Sequence, residues 1–133
     1  MHLLNRNGTR AIELAGALSR LFPGTQFTAG SQWPRQASLW VNATPLGMDG
    51  FPAESPVPAG FTFPRGAWAY DLVYRPAKTP FLKQAEGAGA STIGGADMLI
   101  YQALRTWEFW FEPLGGRRRR ELKTTLFSKL KWD

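Results

Sequence analysis

The apolar run Leu39-Trp40-Val41 stops abruptly in Asn42-Ala43-Thr44-Pro45-Leu46-Gly47-Met48, and this break constrains the chain more than any other stretch. A short apolar segment that ends in small polar residues is how a strand buried on both faces of a parallel sheet ends. In open α/β sheets the ligand crevice lies outside the carboxyl ends of the strands, so Asn42 and Thr44 are expected at such a crevice. Pro45 keeps Thr44 out of the helical region, and Gly47 permits a positive φ, so the backbone can turn sharply beside a ligand. An ordinary strand-to-loop exit uses the same residue types, and both readings stand on these residues alone.

Upstream, Leu3 and Leu4 match the last residues of a strand, followed at once by Asn5-Arg6-Asn7-Gly8-Thr9-Arg10. Ala11, Leu14, Ala15, Leu18, Leu21 and Phe22 then recur at helical spacing until Pro23-Gly24 closes the segment. Asn7 suits the N-cap, which leaves first-turn N–H groups free at that end of the sheet. Arg6 and Arg10 flank the helix start, so two guanidinium groups and a positive dipole end converge on a small volume. In a dinucleotide-binding fold the end of the second strand meets the adenosine ribose, and an arginine there accommodates the extra 2′-phosphate of NADP. A pair of solvated arginines is the alternative.

Further along, residues 26–28 suit a short third strand and residues 38–42 a fourth. Residues 48–66 are rich in proline and glycine and lack periodicity, which predicts a long surface loop able to cover a crevice. Residues 67–74 read as a fifth strand, ended by Arg75-Pro76. Thr79 and Pro80 are the N-cap and first-turn proline of a helix that buries Phe81, Leu82 and Ala85 and ends at Gly87 and Gly89. Residues 90–93 make a sixth strand, and Gly94-Gly95 turns into a helix over 97–111. That helix carries Met98, Leu99, Ile100, Tyr101, Leu104, Trp107, Trp110 and Phe111 nearly all round, which predicts burial against more than one layer. Gln102 is its polar exception, and a buried amide must be satisfied by neighbouring backbone or by a ligand. Beyond Pro113 and Gly115-Gly116, Leu122, Leu126, Phe127 and Leu130 outline a last amphipathic helix with a basic face. Strands alternating with helices imply an α/β fold with a mostly parallel sheet and right-handed crossovers.

The 133 residues fit one domain, and 44% hydrophobic with 20% charged residues mark a globular chain. No cysteine is present and His2 is the one histidine, so disulfides and thiolate sites are excluded and a histidine metal site is not expected. No apolar run is long enough to span a membrane and Met1 to Arg6 lacks the features of a signal peptide, which predicts a soluble, cytoplasmic protein. Residues 117–133 hold seven Lys or Arg against two acids and so carry five of the six net positive charges. The basicity belongs to the tail; such a run suits a solvated helix end better than a nucleic-acid site.

Four separated stretches line up with one family: Asn5-Arg6-Asn7-Gly8-Thr9-Arg10-Ala11; Val41 to Met48; Asp71-Leu72-Val73-Tyr74-Arg75-Pro76 with Thr79; and Gly95-Ala96-Asp97-Met98-Leu99 with Gln102. In joint order and spacing the chain resembles, over residues 3–114, the C-terminal, NADP-binding half of shikimate dehydrogenase. The resemblance implies an incomplete Rossmann-type, three-layer domain over residues 1–114, with residues 115–133 a basic amphipathic helix or tail. It implies that Asn5, Arg6, Asn7 and Arg10 grip the adenosine ribose and 2′-phosphate, with Asn7 standing where the family usually has Thr. It further implies that Thr44 lines the nicotinamide crevice, that Leu72 and the Gly95 backbone contact the nicotinamide, and that Tyr74 and Gln102 hydrogen-bond the hydroxylated substrate.

The family's reaction is reversible hydride transfer between NADP and the C3 alcohol of shikimate, giving 3-dehydroshikimate. Its proton-transfer lysine and aspartate lie in an N-terminal domain that this sequence lacks, as it lacks the glycine-rich turn after the first strand that anchors the pyrophosphate. The chain is therefore expected to carry no catalytic residue of its own, to be inactive alone, and to depend on the missing domain or a second chain supplying it. The strand missing from the centre of a 3-2-1-4-5-6 sheet is expected to leave two unpaired edges. The alternatives are a quinate/shikimate paralogue using NAD, and a non-catalytic remnant whose basic tail binds an acidic partner or nucleic acid.

Overall fold

The computed structural model describes residues 1–129, so Leu130 of the expected last helix lies outside the described residues. The chain forms two compact units, Met1–Gln36 and the remainder from Ala37. Each is built from short parallel strands and helices, an α/β architecture of incomplete Rossmann type.

In the first unit, β1 (His2–Leu3) and β2 (Thr28–Ala29) pair in parallel, joined through α1 (Gly8–Leu21). The N-cap is Asn7, whose Oδ1 accepts the Arg10 N–H at 3.2 Å, in accord with the sequence. The apolar stripe behaves differently. Ala11 and Ala15 are buried, whereas Leu14, Leu21 and Phe22 remain exposed, because two small alanines are all this two-stranded sheet covers.

The second unit holds a three-stranded parallel sheet in the order β3-β4-β5, with β3 Leu39–Asn42, β4 Trp68–Asp71 and β5 Ser91–Ile93. Its register pairs Trp40 with Ala69 and Asn42 with Asp71. These four are buried on one face, where α2 (Pro80–Gly87) packs through Phe81, Leu82 and Ala85. The expectation that the run 39–41 is buried on both sides fails: Leu39 and Val41 are 54% and 51% exposed, and Trp68 shares their open face. An apolar run marks a strand made to be covered twice, and the described residues of this unit leave that second face about half exposed.

The loop 48–66 is the largely exposed, irregular segment expected, and it also adds side chains to the core. It buries Val57 and Phe63 and places Phe61 and Phe63 edge-on against Trp40, with ring centroids 4.9 and 5.7 Å away, while Phe63 also meets Phe81 at 5.6 Å. Edge-to-face aromatic packing of this kind adds to the area that it buries. Gln84 on α2 ties the loop down by donating to the Pro58 and Phe61 carbonyls. Most of the loop is exposed, and Val57 and Phe63 are its contribution to the core.

Two further helices, α3 (Ala96–Trp110) and α4 (Gly116–Lys129), form a hairpin around Ile100, Leu104 and Leu114, against which Leu122, Leu126 and Phe127 pack. Only Ile100 and Leu104 of α3 are buried; Trp107, Phe109, Trp110 and Phe111 are exposed, so the helix is covered along one seam and not all round. The arginine run is partly neutralised by Arg119 with Glu108 and by Arg117 with Glu121, and Lys123 reaches Asp97 and sits over the Tyr101 ring.

In a parallel ladder successive residues bond to opposite sides. The carbonyls of Ser38 and Asn42 accept from β4, so the polar backbone of Leu39 and Val41 points to the unpaired edge of β3. Read by hydrogen exchange on the isolated monomer, the amides of Leu39 and Val41 should exchange fast and that of Trp40 slowly; protection of all three would show that this edge is paired.

Candidate functional site

The ends of β3 and β4 converge on a buried carboxylate. Because the register pairs the last residues of the two strands, Asn42 and Asp71 lie side by side on the buried face, and both side chains are removed from solvent. Asp71 Oδ1 accepts the Asn42 amide at 3.0 Å and the Val73 N–H at 2.9 Å, while Oδ2 accepts the Thr79 hydroxyl at 2.5 Å. Thr79 is also the N-cap of α2, accepting the Leu82 N–H at 3.3 Å. Burial raises the Asp71 carboxyl above its ordinary value of 3.8, and the bonds from Thr79, Val73 and Asn42 oppose that rise.

The other half of the Asn42 amide faces the exit loop. Its Oδ1 accepts the Thr44 N–H at 2.9 Å and the Thr44 hydroxyl at 2.7 Å, and the Thr44 oxygen accepts the Leu46 N–H at 3.3 Å. Asn42 was expected to border a crevice together with Thr44; it is instead buried, and Thr44 alone is exposed. Gly47 has φ +83°, as its type allowed, and a Cβ there would come within 3.1 Å of Pro80 and 3.2 Å of the Thr79 side chain. The tight exit turn thus packs directly on the start of α2.

Leu72 and Gly95 meet closely. The Leu72 N–H donates to the Asn42 carbonyl and the Gly95 N–H to the Val73 carbonyl, and Gly95 is the N-cap of α3. A Cβ on Gly95 would lie 2.4 Å from the Leu72 carbonyl oxygen, a distance no side chain tolerates. Thr44, Leu72 and Gly95 therefore all lie at the carboxyl end of the second unit's sheet, where an α/β fold binds its ligand.

Tyr74 follows β4 and is exposed. Gln102 is exposed on α3, which corrects the expectation of a buried amide: the helix is covered only along the Ile100 and Leu104 seam, and position 102 falls off it. Gln102 borders an open apolar cavity of about 400 Å³ with Leu99, Trp107, Trp110 and Leu126. In the first unit, Asn5, Arg6, Asn7 and Arg10 are exposed around the start of α1, where Asn5 Oδ1 accepts the Asn7 N–H at 2.9 Å. Among the described residues no cluster of three or more His, Cys, Asp or Glu could hold a metal ion, and no helix is long and apolar enough to cross a membrane.

The residue that sequence reasoning undervalued is Asp71. Its signal was present, as the one charged residue in the run 67–74, but its partner depended on a register not readable from spacing.

No protein-family model matches the chain. Curated relatives do: it is 40% identical over 124 residues to the shikimate dehydrogenase (NADP(+)) of Sinorhizobium medicae, covering 92% of this chain and 43% of that protein. It is 43% identical over 97 residues to that of Streptococcus gordonii, covering 71% of this chain and 32% of that protein. Among solved structures, the shikimate 5-dehydrogenase of Thermus thermophilus in complex with NADP(H) and shikimate superposes with a TM-score of 0.71 at 32% identity, over 97% of this chain and 46% of that one. The chain thus spans less than half the length of these relatives.

Two outcomes test this geometry. Gly95→Ala should lower the unfolding free energy by about 2 to 3 kcal/mol, measured by urea denaturation, since backbone must move to admit the methyl group. Because the folded Asp71 carboxyl is raised, its contribution to stability is complete below the unfolded value of 3.8 and is lost as pH rises through the folded one. The stability difference between Asp71→Asn and the parent should therefore shift in favour of the asparagine variant as pH rises across that window, and a difference independent of pH would refute it.

Proposed function

Because the chain belongs to the shikimate dehydrogenase family, we propose that it is the C-terminal, NADP-holding portion of an NADP-dependent shikimate dehydrogenase. The reaction served is the reversible oxidation of shikimate to 3-dehydroshikimate. Carrying this reading is one observation: the chain superposes over 97% of its length on a shikimate- and NADP(H)-bound relative. In this reading residues 1–114 are the partial cofactor domain and residues 115–133 its basic C-terminal helix or tail.

In the first unit, Asn5, Arg6, Asn7 and Arg10 hold the adenosine ribose and its 2′-phosphate: two exposed guanidinium groups stand beside the N-terminus of a 14-residue helix whose dipole favours an anion. In the second, Thr44, Leu72 and the Gly95 backbone face the nicotinamide, and the exposed Tyr74 and Gln102 are available to the substrate hydroxyls. NADP supplies the hydride acceptor; the chain's own residues bind and orient it. The proton-transfer lysine and aspartate come from the N-terminal domain, in the same protein or on a second chain. The protein acts in the cytoplasm, without membrane or nucleic acid.

The purified chain should bind NADPH, show no shikimate oxidation by itself, and gain it when supplied with an N-terminal shikimate dehydrogenase domain. Arg6→Ala should weaken NADPH binding by about tenfold or more while leaving NADH unchanged, in keeping with the loss of one charge-assisted hydrogen bond. Equal NADPH affinity in the two proteins, measured by fluorescence titration, would remove Arg6 from the phosphate site.

A further inference from the structure

Asp71 touches neither Thr44 nor an open surface, yet its bonds reach two of the groups proposed to face the nicotinamide, Thr44 and Leu72. One path runs through Asn42. With its Nδ2 held by Asp71, the planar amide must present Oδ1 the other way, and there it takes both the N–H and the hydroxyl of Thr44. A second path runs through the backbone. The Val73 N–H and the Leu72 C=O belong to one planar peptide and point in opposite directions. Anchoring that N–H to Asp71 aims the Leu72 carbonyl away from the carboxylate, and it is this oxygen that comes so close to the Gly95 α-carbon that no side chain fits. The third bond, from Thr79, fastens the carboxylate to the first turn of α2, on which Gly47 of the exit turn also packs.

We infer that Asp71 is a positioning residue for the nicotinamide-facing end of the second unit, setting Thr44 through the Asn42 amide and the Leu72 carbonyl through the Leu72–Val73 peptide. The inference rests on the reading of Thr44 and Leu72 as cofactor-facing. A buried carboxylate is costly to keep, and a purely structural strand end could use an apolar pair in its place. Here the acid instead organises donors from β3, from the turn after β4 and from the cap of α2, and the first two of these bonds lead to Thr44 and Leu72.

The test uses the whole chain and two variants. Asn42→Ala cuts only the first path: the Thr44 amide should exchange with solvent about tenfold faster or more, with Val73 unchanged. Asp71→Asn weakens both paths: Thr44 and Val73 should both accelerate, while Leu104 in α3 keeps its parent rate. Unchanged Thr44 protection in both variants overturns the relay, and so does a uniform acceleration that includes Leu104, which reports general loss of stability. NADPH titration then separates the two layers of the argument. If the parent binds and Asp71→Asn binds about tenfold more weakly with Leu104 still protected, the positioning role holds. Equal affinity overturns it. A parent chain that binds no NADPH overturns the cofactor reading, and the exchange pattern still decides the relay.

Discussion

Everything at the carboxyl end of the larger unit depends on one carboxylate that is kept out of water. A buried acid survives only if its lone pairs are occupied, and Asp71 has three donors drawn from three segments. Those donors are the last residue of β3, the backbone just past β4 and the cap of α2. Each serves a second purpose: Asn42 holds Thr44, the Val73 peptide directs the Leu72 carbonyl, and Thr79 starts a helix. Strand ends, the exit turn and the helix start are therefore coupled, and none can shift without uncovering a polar group.

The second constraint is what the sheets lack. Among the described residues, hydrogen bonding ends at β1 in one unit and at β3 in the other, with β3 leaving Leu39 and Val41 on an open face and their backbone on an open edge. Within each unit the strands run parallel and in sequence order, β1 beside β2 and then β3-β4-β5. Relatives more than twice as long carry the remainder of their length elsewhere.

Local chemistry made much of the chain legible. Asn7 and Thr79-Pro80 mark helix starts because a cap side chain and a first-turn proline act within a few residues of themselves, and both helices begin where those residues say. Gly47 was legible for the same reason: its positive φ follows from the turn that must leave a strand. Less legible were features that depend on what lies across space. The loop 48–66 has no periodicity, so nothing along it announced that Phe61 and Phe63 would meet Trp40 edge-on. The helix over Ala96–Trp110 is apolar nearly all round, and composition alone could not tell burial on every side from a single covered seam with an exposed aromatic end.

By itself, the sequence determined the alternation of parallel strands and helices, the caps and turns that bound them, and, through four short stretches in a fixed order, the family. Only the tertiary structure decided that Asn42 turns inward while Thr44 stays at the surface, that Gln102 is exposed, and that Asp71 is the junction of three segments. The reason is register. A cap or a turn is settled by neighbours a few residues away, whereas the meeting of Asn42 with Asp71 spans 29 residues and exists only once β3 and β4 have been laid side by side.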